Sequence, residues 1–391
     1  MKAIIHGRIL AENEILRGQV LLYDEQIRRI IPEAEFDPAI AAEIFDAAGQ
    51  YVSPGFINMH IHGCCGVDVM DDEDGALEIM CRAMAATGVT AFLPTTMTYD
   101  IPRINRSLQR IRRAMASTAG SRILGAHVEG PFINAAYKGA QAAQNIMTAD
   151  FSLLAPYREV VKVITLAPEC LSDLDFIRQC HDCGIIVSLG HSAADYEQAA
   201  AAFAAGATHV THMFNAMGPL HHRRPGLLGA AMTLPVSCEI IADNIHVHPV
   251  VQQLVYRAKN RREITLVTDS MRACLLPDGE SELGGQQVLV KNGMATLADG
   301  TIAGSVLTMN QAVKNFKDNT GASLAETVAM ASANPARELG LPAGAIAPGK
   351  WADLVIFDKD IKICRTIVNG QVVYDRLADG ELESLLQREI V

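Results

Sequence analysis

The central part of the chain alternates short apolar runs with segments of helical periodicity. Eight runs have the length and composition of buried strands, namely FINMHIH, VTAFLPT, ILGAHVEG, VKVITLAP, GIIVSLGH, THVTHMF, CEIIADN and EITLVTD. Helical patterns such as GALEIMCRAMAATG and YEQAAAAFAAG lie between most of them, and several end in glycine, a common helix stop. Eight alternating β and α units predict an α/β fold of the (β/α)8, TIM-like barrel type, with a doubly wound sheet as the alternative.

Both ends of the chain carry strands of a different kind. The first fifty residues consist of short strand-like runs with turns, and the far end continues with KWADLVIFD and CRTIVNGQVVYD, where Asn369-Gly370 indicates a hairpin. We expect residues 1–52 and 342–391 to form one small sheet domain and residues 53–341 to form the barrel. After the eighth run, the glycine-rich stretch LPDGESELGGQQVLVKNGMATLADG predicts an inserted hairpin that would overhang the barrel mouth as a lid.

Composition and charge narrow the range of functions. The chain has 391 residues, 49% of them apolar, which is enough for a large core. Its net charge of −11 and its lack of a Lys/Arg-rich run argue against a nucleic-acid or acidic-membrane partner. No segment has the length and apolarity of a membrane span or of a signal peptide. Nine cysteines without a disulfide-framework pattern favour the reducing cytoplasm.

Histidine and carboxylate side chains stand at the carboxyl ends of five predicted strands. They are His60 and His62 on the first strand, Glu129 on the third, His191 on the fifth, His212 on the sixth and Asp269 on the eighth. Strand ends of this kind converge on the face of a barrel where active sites lie. Buried polar groups at so many strand ends would otherwise each need a hydrogen-bond partner. The set therefore predicts a centre for divalent metal ions.

The predicted centre has room for one or two ions per subunit. Glu129, His191 and His212 supply three N/O ligands and leave a position open, which is the count of a catalytic site. His60 and His62 point the same way along their strand and would hold a second ion, with Glu129 bridging. Such donors accept zinc, iron, manganese or cobalt, and we expect zinc first.

Asp269 has two compatible interpretations, a plain metal ligand or the group that moves protons during hydrolysis. A bound divalent ion polarises a carbonyl and lowers the pKa of water, so that a nearby carboxylate can act as general base and then as general acid. Cys64 and Cys65 directly follow the histidine pair. Cysteine is a good zinc ligand, but the set is complete without them, and we expect both to pack beneath the loop.

At this point the motifs resemble those of one family. HIHG after PGFIN, then HVEGPF, GHS, THMFNAM, IADNIH, LVTDS and AGSVLTM occur in the order and spacing of N-acetylglucosamine-6-phosphate deacetylases of the amidohydrolase superfamily. HVEGPF, and THMFNAM followed by RRPG, are the motifs most specific to these deacetylases. The resemblance covers nearly the whole chain and implies a (β/α)8 barrel with a small β-sandwich domain formed by both termini.

The resemblance also implies roles for matching residues. It assigns metal binding and acid–base catalysis to Glu129, His191, His212 and Asp269. The positions that match substrate contacts are Ala140, Gln141, Asn215, Ala216, Arg223, His246, Ile302, Ala303 and Gly304. Among these, Arg223 and His246 match phosphate contacts, which suits a guanidinium that forks onto phosphate oxygens and an imidazole that donates one further bond.

Two features vary within the family. Some members carry Gln and Asn in place of the H-x-H pair and use a single metal, so His60 and His62 favour two ions here. Some members carry a histidine that polarises the acetyl carbonyl after a K-G-x sequence, and this chain has Gln141 at that place. A neutral amide can donate a hydrogen bond but cannot carry a proton, so Gln141 would only orient the carbonyl.

The expected function is metal-dependent hydrolysis of N-acetyl-D-glucosamine 6-phosphate to D-glucosamine 6-phosphate and acetate, in amino-sugar catabolism or cell-wall sugar recycling. The alternatives are the N-acetylgalactosamine epimer, a cyclic-amide hydrolase or deaminase, and a non-catalytic sugar-phosphate sensor. The substrate of a cyclic-amide hydrolase or deaminase would have no anionic group for Arg223 and His246 to bind. A non-catalytic sensor would not need Asp269 as a general base. The resemblance further implies a homodimer, in which Arg223 would act either in the site of its own subunit or in that of the neighbour.

Overall fold

Eight parallel strands form a barrel in the computed structural model, which describes residues 1–12, 14–116 and 120–376. The barrel strands are Phe56–Ile61, Val89–Thr96, Ala126–Glu129, Val161–Leu166, Ile186–Leu189, His209–Val210, Ser237–Ile241 and Ile264–Val267. Each overlaps one of the eight apolar runs, and the predicted barrel fold is confirmed. A short edge strand, Arg122–Ile123, pairs beside the second barrel strand.

The barrel closes between its last and first strands. Neighbouring strands pair in chain order from the first to the eighth. Beyond the eighth, Ser270 forms a parallel bridge with Ile61, and the backbone N–H of Asp269 donates to the carbonyl of His60 over 3.0 Å. A doubly wound sheet would have two open edges here, so the closure excludes that alternative.

The first barrel strand explains why its sequence is apolar yet carries polar residues. Every one of its six positions is buried, because a barrel strand is covered on both faces. Asn58 and His60 point into the barrel, where Asn58 contacts Thr268, directly after the eighth strand, and His60 contacts Glu239 in the middle of the seventh. The interior of this barrel is therefore held together by hydrogen bonds as well as by apolar packing.

Helices surround the barrel. In the described residues they are α1 (Ala76–Ala86), α2 (Ile101–Ala114), α3 (Asp175–Asp182), α4 (Tyr196–Ala204), α5 (Gly226–Thr233), α6 (Pro249–Ala258), α7 (Met309–Thr320), α8 (Leu324–Met330) and α9 (Ala333–Glu338). The predicted glycine stops are present, since Gly88 and Gly206 follow α1 and α4 with φ of 81° and 120°. None of the helices in these ranges is long and apolar enough to cross a bilayer.

The chain ends build two further sheets. The first contains Lys2–Ile5, Gln19–Tyr23, Ile27–Pro32 and Glu43–Asp46, and the second contains Arg8–Leu10, Ile15–Leu16, Tyr51–Pro54, Leu354–Phe357, Ile363–Val368 and Gln371–Asp375. Their shared core includes Ile4, Ile9, Leu21, Val52 and Ile356. The predicted hairpin turn is present, because Asn369 and Gly370 both have positive φ. The domain boundaries stay a prediction, and residues 377–391 lie outside the described residues.

The glycine-rich insertion folds into a small antiparallel sheet at the barrel mouth. Its strands are Gly279–Leu283, Gln286–Lys291 and Met294–Thr296. The side chain of Gln286 donates to the carbonyl of Ala140, in the loop after the third barrel strand. A smaller pair, Gly63–Cys64 with Val67–Asp68, follows the first barrel strand. These loops surround the carboxyl ends of the barrel strands.

Candidate metal centre

Two groups of buried side chains at the carboxyl ends of the barrel strands have the composition of metal sites. In each group, one donor atom from every residue lies within 4.8 Å of the others. The first group is Glu129, His191 and His212, and the second group is His60, His62 and Asp269. All six side chains that the sequence predicted as ligands are therefore brought together, in two sets of three.

The backbone is unusual at the turns that present these side chains. His191, His212 and Asp269 have φ of 49°, 27° and 49°, in the left-handed region that non-glycine residues rarely adopt. Such conformations cost free energy and persist where the surrounding structure enforces them, which occurs most often at functional sites. The sharp turns direct each side chain across the barrel mouth.

Hydrogen bonds to backbone carbonyls fix the ring orientation of two histidines. His62 Nδ1 lies 3.1 Å from the carbonyl oxygen of Thr95, and His191 Nδ1 lies 2.9 Å from that of Tyr137. Because a carbonyl only accepts, both Nδ1 atoms carry hydrogen, and Nε2 of each neutral ring presents a lone pair. This is the arrangement in which proteins hold metal-ligating histidines.

The Nε2 atoms of the histidines converge in pairs. His191 Nε2 lies 3.1 Å from His212 Nε2, and His62 Nε2 lies 3.3 Å from His60 Nε2. Two buried lone pairs at that distance repel one another unless a proton or a cation lies between them. The donor set therefore fits divalent metal ions.

Glu129 is shared by the two groups. Its Oε1 lies 3.2 Å from His191 Nε2 and 3.1 Å from His212 Nε2, whereas its Oε2 lies 3.3 Å from His62 Nε2. One carboxylate thus faces both groups with different oxygens. This geometry suits a carboxylate that bridges two ions.

Electrostatics keep the carboxylates charged. Burial disfavours the ionised form of Glu129, but the histidines around it, His60 foremost, hold its pKa well below the usual range. In turn, burial opposes protonation of His212, yet Glu129 and Asp269 raise the pKa of His212 to about 9. Without a bound cation the centre therefore attracts protons, and an ion that binds displaces them.

A third cluster, of His60, His127 and Glu239, has a different character. His127 donates from Nδ1 to the carbonyl of Met59 over 3.0 Å, and its Nε2 lies 2.7 Å from Thr165 Oγ1. Burial, with the nearby His60, lowers the pKa of His127 to about 3. Both ring nitrogens of this neutral histidine are occupied by hydrogen bonds, so the cluster is a support for the centre rather than another ion site.

A pocket of about 240 Å³ opens above the two groups. Its lining includes seven of the nine positions predicted to touch substrate, namely Ala140, Gln141, Asn215, Ala216, His246, Ile302 and Gly304. Ala303 does not line it, because its side chain is fully buried and its N–H donates to the carbonyl of Ala295. Arg223 is exposed and lies outside the lining.

His246 is held in a fixed orientation at the pocket wall. Its Nδ1 lies 2.6 Å from Asp243 Oδ2, and the other oxygen of Asp243 accepts the backbone N–H groups of Ile245 and His246. Since Nδ1 is taken by the carboxylate, Nε2 is the ring atom left for a ligand. An anionic ligand group would find a donor there if the ring is protonated.

Several residues at the centre were not predicted from the sequence. Met97, Leu283 and Thr301 line the pocket, although nothing in their local sequence distinguishes them. Glu239 Oε2 lies 2.9 Å from His60 Nδ1. A carboxylate within the apolar run CEIIADN was the one available signal, because a buried charge needs a partner. Cys64 and Cys65 belong to no metal-binding group in the described part of the chain.

Comparison with known proteins identifies the family. The model of the amidohydrolase family matches residues 51–373. The chain belongs to the amidohydrolase family. It is 38% identical to the N-acetylglucosamine-6-phosphate deacetylase of Bacillus subtilis, over 94% of this chain and 95% of that protein. It is 35% identical to the N-acetylgalactosamine-6-phosphate deacetylase of Escherichia coli O157:H7, over 93% and 98%.

The structural comparison agrees. A variant N-acetyl-D-glucosamine-6-phosphate deacetylase from Mycobacterium smegmatis, solved in complex with N-acetyl-D-glucosamine 6-phosphate, superposes with a TM-score of 0.88 at 30% identity. The match covers 95% of this chain and 99% of that one. The predicted resemblance to the deacetylases of the amidohydrolase superfamily is confirmed.

Proposed function

We propose that the protein is a metal-dependent hydrolase that converts N-acetyl-D-glucosamine 6-phosphate to D-glucosamine 6-phosphate and acetate. The observation that carries this proposal is the pair of ligand groups sharing Glu129 at the base of a pocket of about 240 Å³. The relatives that match nearly the whole chain are deacetylases of amino-sugar phosphates, which supports the same reaction. All nine cysteines are free thiols, which supports a reducing cytoplasm as its location.

Metal binding falls to the two groups. Glu129, His191 and His212 would hold one ion, and His60 and His62 would hold a second, with Glu129 facing both positions. A divalent ion in such a site supplies a Lewis acid for the amide oxygen and lowers the pKa of water. Zinc suits imidazole and carboxylate donors with an open position, and iron, manganese and cobalt are the alternatives. Elemental analysis of the purified protein distinguishes them.

Asp269 moves the proton. Burial opposes its ionisation, but His60 and His62 hold the pKa of Asp269 below its usual range. The carboxylate accepts a proton from the attacking water and later donates it to the amine nitrogen as the C–N bond breaks. Its backbone is fixed on both sides, because its N–H donates to the carbonyl of His60 and its carbonyl accepts the N–H of Ser305.

The phosphate is bound by His246 and by Arg223 of a second subunit. Arg223 lies outside the pocket of its own chain, and in the described residues no carboxylate pairs with its guanidinium. Leu220, three residues away, is 58% exposed, as an apolar residue at a subunit contact would be in the isolated chain. A homodimer that joins these loops would deliver Arg223 to the neighbouring pocket.

Acetate release is the direct test. The metal-reconstituted protein is assayed with N-acetylglucosamine, with its 6-phosphate and with N-acetylgalactosamine 6-phosphate, and Asp269→Asn serves as the inactive control. Fast release from the glucosamine phosphate, and slow release from the sugar without phosphate, is the expected result. The galactosamine epimer is the second candidate, because a relative at 35% identity carries that name. Sugar-phosphate binding without any acetate release would instead support a sensor.

A further inference from the structure

A buried network of ionisable side chains extends from the metal centre along the inside of the barrel. It consists of His60 on the first strand, Glu239 on the seventh, His209 on the sixth and Glu338 at the end of α9. The first three are 0% exposed, and the Glu338 side chain is 12% exposed. Burying such groups costs free energy unless each is paired. The reaction proposed above uses none of the last three.

Glu239 contacts one ligand from each metal group with the same oxygen. Its Oε2 lies 2.9 Å from His60 Nδ1 and 3.0 Å from the backbone nitrogen of His212. The first contact directs His60 Nε2 toward His62 and Asp269. The second holds the backbone of His212, whose φ of 27° places it in the strained left-handed region. Glu239 therefore connects the two groups beneath the pocket, as Glu129 connects them above.

The other end of Glu239 faces a second charged pair. Its Oε1 lies 3.4 Å from His209 Nε2, and His209 Nδ1 lies 2.6 Å from Glu338 Oε2. Burial opposes the charge on His209, but Glu338 and Glu239 raise its pKa to about 10. The imidazolium thus lies between two carboxylates, and the remaining oxygen of Glu338 accepts the hydroxyl of Thr265 over 3.1 Å.

We propose that Glu239 is a positioning residue that fixes the two ligand groups relative to each other. The His209–Glu338 pair holds the carboxylate of Glu239 in place from the side away from the metal centre. This inference rests on the proposed metal-dependent function. Partners of this kind fix the ring orientation of a ligating histidine and raise its basicity. The competing explanation is that the buried network only stabilises the fold. The two explanations predict different metal affinities for variants of the network.

The experiment compares Glu239→Gln, His209→Asn and Glu338→Gln with a matched control, Asn334→Ala. Asn334 is also buried on α9, but its amide donates to the backbone carbonyls of Arg261 and Ile264 and is not part of the buried network. Three quantities are measured: the melting temperature, the affinity for each ion by titration against a chelator, and the absorption spectrum of the cobalt(II)-reconstituted protein.

In Glu239→Gln, one carboxylate oxygen is replaced by an NH2 group, which only donates. This group must face either the donors on His60 and His212 or the protonated Nε2 of His209, so one contact is lost in either orientation. The expected result is a 10- to 100-fold loss of metal affinity and a changed cobalt spectrum, at roughly the scale typical of such partners. His209→Asn and Glu338→Gln should give the same change to a smaller degree. Asn334→Ala should lower the melting temperature and leave affinity and spectrum unchanged.

A folded Glu239→Gln with wild-type metal affinity and spectrum overturns the inference. The inference is also overturned if Asn334→Ala loses metal in proportion to its loss of stability. The buried network would then act only through the stability of the fold. If Glu239→Gln does not fold, unchanged affinity in both His209→Asn and Glu338→Gln has the same meaning. A wild-type protein that binds metal but releases no acetate contradicts the proposed substrate and leaves this test intact.

Discussion

Gln141 donates a hydrogen bond of 2.5 Å from its amide Nε2 to Oε2 of Glu129. The backbone N–H of Thr98 donates to the amide oxygen over 2.7 Å, which fixes the nitrogen toward the carboxylate. The same nitrogen also faces Met97 Sδ at 3.7 Å. Gln141 therefore restrains the glutamate oxygen that faces His62, a contact additional to its predicted role toward the substrate carbonyl.

This contact predicts that Gln141→Ala weakens the centre as well as the reaction. A hydrogen bond to a buried charged group contributes about 1.5–3 kcal/mol. We expect metal affinity and kcat/KM each to fall by about tenfold or more, on the basis of that range. Metal titration and acetate release are measured on the same preparation. A variant that keeps both affinity and rate would show that neither role of Gln141 matters.

Asp269→Asn should separate metal binding from catalysis. The amide cannot accept the proton from water, and general acid–base catalysis contributes at least about 100-fold in rate. Glu129, His191 and His212 remain, so at least one ion should still bind. Elemental analysis and acetate release test the two parts separately. A rate within tenfold of wild type would remove Asp269 from its assigned role.

The double variant His60→Asn/His62→Asn tests whether the second group holds its own ion. It leaves Glu129, His191 and His212 in place, so the metal content should fall by the share of one site rather than to nothing. His181→Asn, at an exposed position on α3, is the matched control and should keep all of the metal. Full metal content and full rate in the double variant would mean that the histidine pair is not a metal site.

Arg223→Ala tests phosphate binding across a dimer. Its KM for the phosphorylated sugar should rise, whereas the neighbouring Arg224→Ala, also exposed, should behave as wild type. If Arg223 acts in the partner's pocket, mixing Arg223→Ala with Asp269→Asn under exchange conditions should restore activity that neither variant has alone. An unchanged low activity in a mixture shown to contain hybrid dimers would place Arg223 in its own pocket.

Asp68 predicts a pH dependence of stability. It is buried, and in the described ranges its Oδ2 has no hydrogen-bond partner, so burial raises its pKa from 3.8 to about 6. The folded protein holds this proton more tightly, so the contribution to stability is complete below pH 3.8 and is lost as the pH rises through about 6. A shift of this size corresponds to about 3 kcal/mol at most.

Asp68→Asn should therefore increase the free energy of unfolding at pH 8 and change it little at pH 4. The asparagine keeps the oxygen that accepts the N–H of Met70, and it removes the unpaired charge. Urea unfolding at the two pH values measures the difference. Asp182→Asn, at an exposed position at the end of α3, is the control and should change neither value. Equal stability of Asp68→Asn and wild type at pH 8 would contradict the assigned cause.

The sequence predicted what depends on local patterns. The apolar runs located the barrel strands, and Asn369-Gly370 located a hairpin, because both signals lie within a few neighbouring residues. The six ligand positions followed from the rule that strand ends converge. Leu283 reaches the pocket from an insertion more than a hundred residues from Glu129, and no local pattern encodes that contact.

The register of the barrel strands also could not be predicted from the sequence. Whether Glu239 meets His60 or the outer helices depends on how the seventh strand is oriented relative to the first, and those strands are not neighbours. The run SLAETVAMASANPARELG, helical throughout in its pattern, is divided in the structure into α8 and α9. Pro335 accounts for the break, because its ring disfavours a continuous helix through the preceding turn.

The strand Tyr51–Pro54 continues through Gly55 into the barrel strand that bears His60 and His62. Its antiparallel partner in the terminal sheet is Leu354–Phe357, about three hundred residues later in the chain. Contacts of such large sequence separation form slowly, since a long loop must close first. During synthesis, this strand therefore has no partner on that side until the chain is nearly complete, so the first two histidines of the metal centre to leave the ribosome are among the last to reach their final surroundings.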